Sequence, residues 1–160
     1  MTGQQRSEDR QWMERSIEEA GRAAHKGEVP VGALLVVGGW EAGRGHNLTI
    51  TAGDPTAHAE VVTLRAAAKA LGNHRTGGTM YVTLEPCLMC MGALLQARVE
   101  RLVFATRDPK AGAVVSLYQV AADSRLNHSF EISEGLCGEE AASLLSDFFR
   151  ARRAREGAGG

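Results

Sequence analysis

His58-Ala59-Glu60 and Pro86-Cys87-Leu88-Met89-Cys90 are the two segments from which the fold of this chain can be worked out. Together they supply one imidazole, two thiols and one carboxylate. Three protein ligands with an open fourth position are typical of catalytic zinc, whereas a structural zinc site closes its tetrahedron with a fourth side chain. We therefore predict that His58, Cys87 and Cys90 bind one zinc ion and that Glu60 stays free to carry protons.

The cysteine spacing predicts that the second segment starts a helix. Cys87 and Cys90 are three residues apart, so both thiols would leave the same face of a helix. The positive end of the helix dipole favours the thiolate, which is the form that binds metal. Pro86 suits the first helical position, because its missing N–H would have no partner there.

The first segment must also lie at a helix start. His58 and Glu60 are two residues apart, which in the middle of a helix would direct them to opposite sides. They can share a site only in the first turn, for which Thr56 is the expected N-cap residue. The sequence thus predicts two helix N-termini that point at one metal.

Two other interpretations of the cysteines stay open at this stage. A lone C-x-x-C can be a redox pair, although no Trp-Cys-Gly-Pro context accompanies it here. Alternatively, Cys137 could close a structural zinc site as a fourth ligand, and Glu60 would then be an ordinary surface acid. The catalytic interpretation is favoured because both halves of the motif fit it.

Composition and charge are those of an ordinary globular protein. The 160 residues are 44% hydrophobic and 23% charged, with a formal net charge of -1, which predicts a single domain over residues 1–160 with its own core. The three cysteines do not make a disulfide framework and indicate a reducing cytoplasm. Neither a signal peptide nor a membrane segment is expected, because the N-terminus is charged and the longest apolar run covers only residues 33–37.

The C-terminal end is strongly basic. Arg150, Arg152, Arg153 and Arg155 lie within six residues of one another. Such a cluster can contact the phosphates of a nucleic acid. Equally, these arginines could only complement the negative C-terminal end of their own helix. Charge alone leaves both interpretations open.

Hydrophobic periodicity predicts helices that alternate with strands. The expected helices cover residues 10–26, 57–71, 87–97 and 139–155, with a weakly signalled helical piece at 114–120. The expected strands cover residues 32–37, 40–47, 79–84, 99–106 and 129–133. Residues 47–53 and 107–112 are expected to form loops, and residues 1–9 and 156–160 to be flexible. This order is typical of the α/β class, with helices on both faces of a central sheet.

Several stretches carry a resemblance to a known family. The pairing of H-x-E with P-C-x-x-C is an established signature of zinc nucleobase deaminases. More specific are Glu28-Val-Pro-Val-Gly-Ala33, Asp54-Pro-Thr-Ala-His-Ala-Glu60, Tyr81 to Cys90, Arg107-Asp108 with Lys110 and Gly112, Leu126-Asn-His128, and Leu144-Leu-Ser-Asp-Phe-Phe-Arg150. Over about residues 10–155 the chain resembles the bacterial tRNA adenosine deaminases, the TadA type.

The resemblance implies hydrolytic deamination of the wobble adenosine to inosine in a tRNA anticodon loop. It also implies a cytoplasmic, zinc-dependent homodimer with the cytidine-deaminase-like fold, a three-layer α/β/α sandwich around a mixed five-stranded sheet. By position, His58, Cys87 and Cys90 would hold the zinc and Glu60 would shuttle protons. Asn47 matches an asparagine that hydrogen-bonds the inserted base.

The resemblance and the charge pattern together predict which residues would contact RNA. These are Asp108, Lys110, Arg150, Arg152 and Arg153. Because a carboxylate is repelled by phosphate, Asp108 is expected to accept a hydrogen bond from a ribose 2′-hydroxyl. Its alternative role is to cap the turn before Pro109. Departures from the family pattern at residues 117–119 and at Ser129 affect only the expected RNA contacts.

Two rival functions would use much of the same chemistry. A deaminase of a free base or nucleoside, such as guanine, cytosine or cytidine, needs the zinc site but has no need for the C-terminal arginines. A zinc-stabilised RNA-binding module without catalysis has no use for a carboxylate such as Glu60 that is not a ligand. For the homodimer, the expected apolar interface residues are Met91, Leu94 and Leu95.

Overall fold

A mixed five-stranded sheet forms the centre of the structure, a computed structural model that describes residues 2–158. The strands are Gly32–Val37 (β1), Trp40–His46 (β2), Thr79–Leu84 (β3), Arg101–Thr106 (β4) and Glu131–Glu134 (β5). The helices are Gly3–His25 (α1), Thr49–Ala52 (α2), Ala59–Leu71 (α3), Leu88–Gln96 (α4) and Gly138–Ala158 (α5), with a 3-10 turn at Val120–Ala122. The strand order is β2-β1-β3-β4-β5. β1 pairs antiparallel with β2 and β3, whereas β4 pairs parallel with β3 and β5.

Both faces of the sheet are buried under helices. Along β1, Ala33 and Leu35 belong to one core cluster, whereas Leu34 and Val36 belong to a second. This alternation is expected of a strand that is covered on both sides, since successive side chains point to opposite faces. The first cluster includes residues of α3 and α4, and the second includes residues of α1 and α5. The predicted three-layer α/β/α sandwich is confirmed.

Two glycines allow the helices to lie close to the sheet. A Cβ atom on Gly32 would stand 2.0 Å from the carbonyl oxygen of Ser16 in α1. On the other face, a Cβ atom on Gly43 would stand 2.8 Å from the backbone nitrogen of Ala67 in α3. Any larger residue at either position would push a helix away from the sheet.

The N-terminal helix is longer than predicted. α1 begins at Gly3 instead of near residue 10, so residues 3–9, for which flexibility is predicted, belong to the helix. The side chain of Thr2 caps the helix by accepting a hydrogen bond from the backbone N–H of Gln5. Asp9 is buried and pairs with Arg101 of β4 at 2.6 Å, which ties this end of the helix to the sheet.

The C-terminal helix also exceeds its predicted bounds of 139–155. α5 runs from Gly138 to Ala158, and an ion pair at 3.5 Å joins Arg152 to Glu156 across one turn. Residues 156–158, for which flexibility is predicted, therefore belong to the helix. The same prediction for Met1 and for residues 159 and 160 lies outside the described residues. Among the helices of residues 2–158, none is long and apolar enough to cross a membrane.

Three smaller predictions need correction. The expected loop at 47–53 contains the one-turn helix α2, and the helical piece expected at 114–120 is replaced by turns before Val120–Ala122. β5 is Glu131–Glu134 rather than 129–133, because its register is set by parallel pairing with residues 101–104 of β4.

Two of the three expected dimer-interface residues are not at the surface, whereas the third, Leu95, is half-buried. Met91 and Leu94 are fully buried in the core between α4 and the sheet. An apolar helix face looks the same in the sequence whether it packs on its own sheet or on a partner. The apolar side chains that α4 exposes are instead Leu88 and Met89, near its N-terminus.

Candidate active site

The three predicted zinc ligands come together where two helices begin. His58 is the N-cap residue of α3, Cys87 is the N-cap residue of α4, and Cys90 lies in the first turn of α4. Both N-cap residues have extended backbone conformations, which turn their side chains toward each other across the site. The prediction of two helix N-termini at one metal is consistent with this arrangement.

The helices begin slightly later than predicted. Thr56 is not an N-cap, because its hydroxyl donates to Oδ1 of Asp54 at 2.7 Å. Pro86 is not the first helical residue, since α4 starts at Leu88. The consequence is that His58 and Cys87 occupy the two cap positions themselves, where a side chain can reach beyond the helix end.

Distances among the donor atoms fit zinc. Nδ1 of His58 lies 3.6 Å from Sγ of Cys87 and 3.6 Å from Sγ of Cys90. Zinc bonds of about 2.3 Å to sulfur and about 2.1 Å to nitrogen, at a tetrahedral angle, separate the two ligand atoms by roughly 3.6 Å. The three donor atoms lie within 4.8 Å of one another. The geometry therefore matches three corners of a zinc tetrahedron.

The ionisation of the ligands also suits a metal. Hydrogen bonds from Cys90 and His58 lower the pKa of Cys87 to about 4. The same two hydrogen bonds raise the pKa values of the partners of Cys87, which are Cys90 and His58. The Cys87 thiolate is thus the acceptor of two protonated neighbours, and a divalent cation that binds here would displace their protons.

Glu60 lies beside the ligands but is not one of them. It sits in the first turn of α3, is 4% exposed, and does not belong to the cluster of potential metal donors. Burial raises the pKa of Glu60 to about 7, and the nearby Cys87 thiolate acts in the same direction. A carboxyl group with this pKa can both accept and donate a proton near neutrality.

The alternative of a closed structural site is not supported by the geometry. Cys137 belongs to the core cluster on the face of the sheet covered by α1 and α5, whereas α3 and α4 cover the opposite face. It lies at the start of α5, where its sulfur is 3.8 Å from Arg10. The donor cluster found among the described residues has three members, and Cys137 is not one of them.

A small cavity, the metal cavity, opens at this site. Its volume is about 240 Å³, and it is lined by Val29, Val31, Asn47, Thr49, His58, Glu60, Leu84, Glu85, Cys87, Asp108 and Ala111. It therefore brings two predicted substrate-binding residues, Asn47 and Asp108, to the zinc ligands. Sites for drug-sized molecules typically have about 300–1,000 Å³, so this volume suits something as small as a single base.

Asn47 follows β2 and caps the N-terminus of α3. Its Oδ1 accepts a hydrogen bond from the backbone N–H of Ala59 at 2.9 Å. His58 provides no side-chain cap of its own, so Asn47 satisfies one of the free N–H groups at the start of α3. The amide NH₂ group of Asn47 is left to donate to another partner.

Asp108 caps a turn, as its alternative role required. Its Oδ1 accepts hydrogen bonds from the backbone N–H groups of Lys110 at 3.0 Å and Ala111 at 3.3 Å. This contact uses one carboxylate oxygen, so it does not test the expected hydrogen bond to a ribose. Lys110 is exposed on the same loop.

A larger groove, the basic groove, lies next to the metal cavity. It has a volume of about 700 Å³ and is lined by Val29, Leu84, Arg107, Asp108, Pro109, Lys110, Leu145, Ser146, Phe149, Arg150 and Arg153. Arg150 and Arg153 are thus brought together with Lys110. Arg152 is not, because it lines a separate cavity with Ile50, Phe148 and Arg155.

Sequence reasoning missed two buried carboxylates next to the site. Glu85 ends β3 and accepts hydrogen bonds from the loop that follows β4. Glu28 is fully buried and accepts from the backbone N–H groups of Ile50 and Thr51, at the start of the segment that links Asn47 to α3. The sequence does contain a sign of these two sites. Glu85 directly follows an apolar strand and Glu28 directly precedes Val29-Pro30-Val31, and a charge placed in apolar surroundings needs a partner.

Comparison with known proteins identifies the family. Residues 6–106 match the family model described as the cytidine and deoxycytidylate deaminase zinc-binding region. A tRNA-specific adenosine deaminase of Bacillus subtilis (strain 168) is 44% identical over 151 residues, which cover 94% of this chain and 94% of the relative. One of Haemophilus influenzae (strain ATCC 51907 / DSM 11121 / KW20 / Rd) is 46% identical over 147 residues, covering 91% of this chain and 85% of the relative.

Solved structures agree with this result. One from biochemical and structural studies of A-to-I editing by tRNA:A34 deaminases superposes with a TM-score of 0.82 and 41% identity, covering 84% of this chain and 99% of that one. A guanine deaminase from Bacillus subtilis gives a TM-score of 0.58 and 33% identity, covering 67% of this chain and 66% of that one. Given the family match over more than half its length and the zinc-ligand geometry, the chain belongs to the family that carries the cytidine and deoxycytidylate deaminase zinc-binding region.

Proposed function

We propose that this protein hydrolyses the wobble adenosine of a tRNA anticodon loop to inosine. The observation that carries the proposal is that the metal cavity adjoins the basic groove, with Val29, Leu84 and Asp108 lining both. A free base needs only the small cavity. A base presented by a polyanion also needs a path for its phosphates, which Lys110, Arg150 and other basic residues of the groove can contact.

The relatives support the same substrate. The chain covers 94% of a Bacillus subtilis protein named a tRNA-specific adenosine deaminase, at 44% identity. Its likeness to the guanine deaminase structure extends over only 67% of the chain, with a lower TM-score of 0.58. A free-base deaminase is therefore the second candidate, and a non-catalytic RNA-binding module would leave the buried Glu60 without a role.

The cavity residues divide the work of deamination. His58, Cys87 and Cys90 would hold one zinc ion, whose chemistry would be to lower the pKa of a water molecule toward neutrality and so supply the nucleophile. Glu60 accepts the proton of the water that adds to carbon 6 of adenine and delivers it to ring nitrogen 1. It then carries the second proton to the amino group as the bond from carbon 6 to nitrogen breaks and ammonia leaves.

Substrate positioning falls to the residues around the cavity mouth. Asn47 would donate a hydrogen bond from its free NH₂ group to the inserted base, because its oxygen is held by Ala59. Asp108 would accept from a ribose 2′-hydroxyl with the carboxylate oxygen that the turn does not use. The base must leave its stack to enter, and an anticodon loop lowers that cost because its bases are already unpaired.

Assembly and location belong to the same proposal. The chain would act in the cytoplasm, because thiol ligands need a reducing compartment and tRNA is found there. It would act as a homodimer of one-domain subunits. Its interface would use the exposed side chains of Leu88 and Met89 on α4 and of Leu117 and Tyr118 between β4 and β5. Sedimentation as a monomer at micromolar concentration would contradict the dimer.

The test is an inosine assay on matched substrates. The zinc-loaded protein is incubated with an anticodon stem-loop RNA with adenosine at the wobble position, and in parallel with guanine, cytosine, cytidine and adenosine. Nucleoside analysis by mass spectrometry is expected to find inosine only in the stem-loop. Turnover of guanine or a cytosine compound with no inosine in the RNA would favour the second candidate. No turnover of any substrate by zinc-loaded protein would contradict both.

A further inference from the structure

The carboxylate of Glu85 is buried at the end of β3 and is surrounded by donors from one loop. Its Oε2 accepts from the backbone N–H groups of Val114, Val115 and Ser116 at 3.0, 2.9 and 3.0 Å. Its Oε1 accepts from the backbone N–H of Asp108 at 3.1 Å and from the hydroxyl of Ser116. Both oxygens are therefore fully used within the protein.

The loop depends on this carboxylate for its conformation. Residues 108–116 contain no strand or helix, so most of their backbone N–H groups have no regular partner. Three successive N–H groups that converge on one oxygen form an anion nest, and Glu85 fills it. A further hydrogen bond of 2.8 Å joins the N–H of Ala113 to the carbonyl oxygen of Pro86. Both ends of the loop are thereby fastened to β3.

The same loop lines both the metal cavity and the basic groove. Ala111 lines the metal cavity, Asp108 lines both, and the basic groove is also lined by Arg107, Pro109 and Lys110. A shift of the loop would move both surfaces at once.

Gly112 shows how closely the loop fits around the carboxylate. A Cβ atom on this residue would stand 2.3 Å from Cδ of Glu85 and 2.4 Å from each carboxylate oxygen. Even a methyl group at this position would therefore displace either the carboxylate or the loop. The fit can be disturbed from the loop side without removing the charge.

We propose that Glu85 is a positioning residue for the RNA substrate, which acts by holding residues 107–116 against β3. The proposal rests on the proposed function and adds to it a residue that lines the metal cavity but whose two carboxylate oxygens are bonded to the loop. Since loop donors saturate the carboxylate, we expect its effect to reach the substrate through the loop. Its loss should therefore weaken substrate capture more than the chemical step.

Two substitutions of Glu85 form a graded series. In Glu85→Gln, the amide oxygen can keep the three N–H groups of the nest, and the hydroxyl of Ser116 can reverse to accept from the amide. Only the N–H of Asp108 then loses its acceptor. Glu85→Ala removes every acceptor. We expect KM for the anticodon stem-loop to rise roughly tenfold in Glu85→Gln and further in Glu85→Ala, with kcat within about threefold in Glu85→Gln.

Milder variants guard against loss of folding. Ser116→Ala removes one donor of the cluster, and Gly112→Ala disturbs it by contact, so both should raise KM in the same direction. The matched control is Ser16→Ala, which deletes a buried hydroxyl that donates to the carbonyl oxygens of Trp12 and Tyr81 under the opposite face of the sheet. It should cost stability without changing KM.

Zinc content and amide hydrogen exchange complete the test. The variants of Glu85, Gly112 and Ser116 should retain wild-type zinc content, while the amides of Val114 and Val115 exchange faster than in Ser16→Ala. An unchanged KM in folded Glu85→Gln, or loss of zinc in step with activity, would overturn the positioning role. Absence of inosine with wild-type protein would instead remove the proposed function, which keeps the two failures distinct.

Discussion

Oδ1 of Asn47 lies 2.9 Å from the backbone nitrogen of Ala59, so the side chain that is proposed to bind the base also caps α3. The imidazole of His58 cannot cap α3, because it faces the two cysteines. A neighbouring strand end supplies the missing acceptor instead. Under the proposed function, this one hydrogen bond would join substrate recognition to the placement of the metal donor His58.

This double role predicts that two substitutions of Asn47 differ. Asn47→Ala removes the cap and should lower the free energy of unfolding by about 0.5–2 kcal/mol, in addition to raising KM. Asn47→Asp keeps an acceptor for Ala59 but loses the NH₂ donor, so it should raise KM with little loss of stability. Denaturant unfolding and stem-loop kinetics on both variants check this. Equal destabilisation by the two would show that the cap is unimportant.

Glu60 and Cys87 should separate metal binding from proton transfer. Glu60→Ala is expected to keep about one zinc per chain and to lose roughly 10²–10⁴-fold or more in kcat, because the group serves two proton transfers. Cys87→Ala should lose the zinc itself, and with it stability, since the metal joins two helix ends. Metal analysis by mass spectrometry and single-turnover rates are measured together. Parallel loss of zinc and activity in Glu60→Ala would identify Glu60 as a ligand.

The basic groove predicts a salt-dependent term in RNA binding. Replacing Arg150 and Arg153 with glutamine should reduce the slope of log affinity against log salt by about 0.7–0.9 for each phosphate that is no longer neutralised. Zinc content should stay unchanged. Arg15→Gln, an exposed arginine on α1 that lines neither cavity, is the control, and because it removes one charge instead of two its slope change is compared per arginine. If the double variant and the control have the same slope change per arginine, this groove is excluded as the phosphate path.

The same comparison applies to Arg152. Because it lines the separate cavity beside Ile50 and pairs with Glu156 at 3.5 Å, it can contribute to RNA binding only if the substrate extends over the loop at 47–53. This is tested by measuring RNA binding by wild-type protein and an Arg152 variant, with one stem-loop that has a shortened stem and one that has a longer stem.

Asp108→Asn should change the preference for RNA over DNA. An amide keeps the oxygen that accepts from Lys110 and Ala111, so the turn should survive. The substitution removes the negative charge, and with it the stronger hydrogen bond to a ribose 2′-hydroxyl. We expect the ratio of rates on an RNA stem-loop and the corresponding DNA hairpin to fall. An unchanged ratio in a folded variant would leave Asp108 with its turn-capping role alone.

Stability at low pH should depend on Asp9. Burial opposes its ionisation, but hydrogen bonds from Arg101 and Tyr81 outweigh that effect and lower the pKa of Asp9 below its usual value. A carboxyl group with a lower pKa in the folded chain stabilises the fold at pH values above its unfolded pKa of about 3.9. That contribution is lost as pH falls through the folded pKa.

Asp9→Asn tests this directly. It leaves Arg101 without its buried partner and should lower the free energy of unfolding by roughly 3 kcal/mol at pH 7. The difference from wild type should stay constant down to about pH 5 and shrink below about pH 4. Denaturant unfolding of both proteins over this range measures it. A difference as large at pH 3 as at pH 7 would contradict the role of the charge.

The residues that carry the chemistry could be predicted from the sequence because their side chains are rare and their spacing is local. Imidazole, two thiols and a spare carboxylate at H-x-E and P-C-x-x-C have few uses other than zinc chemistry, and the donor atoms indeed converge within 4.8 Å. The sheet was predictable for a similar reason. Apolar runs bounded by glycines indicated its strands, and their alternation with helices indicated layers on both faces.

Other features follow only from the tertiary structure. The donors that surround Glu85 are mostly backbone N–H groups, which nearly every residue carries, so no side-chain pattern marks residues 108–116 as their source. The apolar face of α4 offered a similar ambiguity, because Met91 and Leu94 would look the same at a dimer interface as in the core where they lie. Local chemistry thus identified the zinc site, whereas the packing of distant segments decided how its loops are held and which surfaces remain exposed.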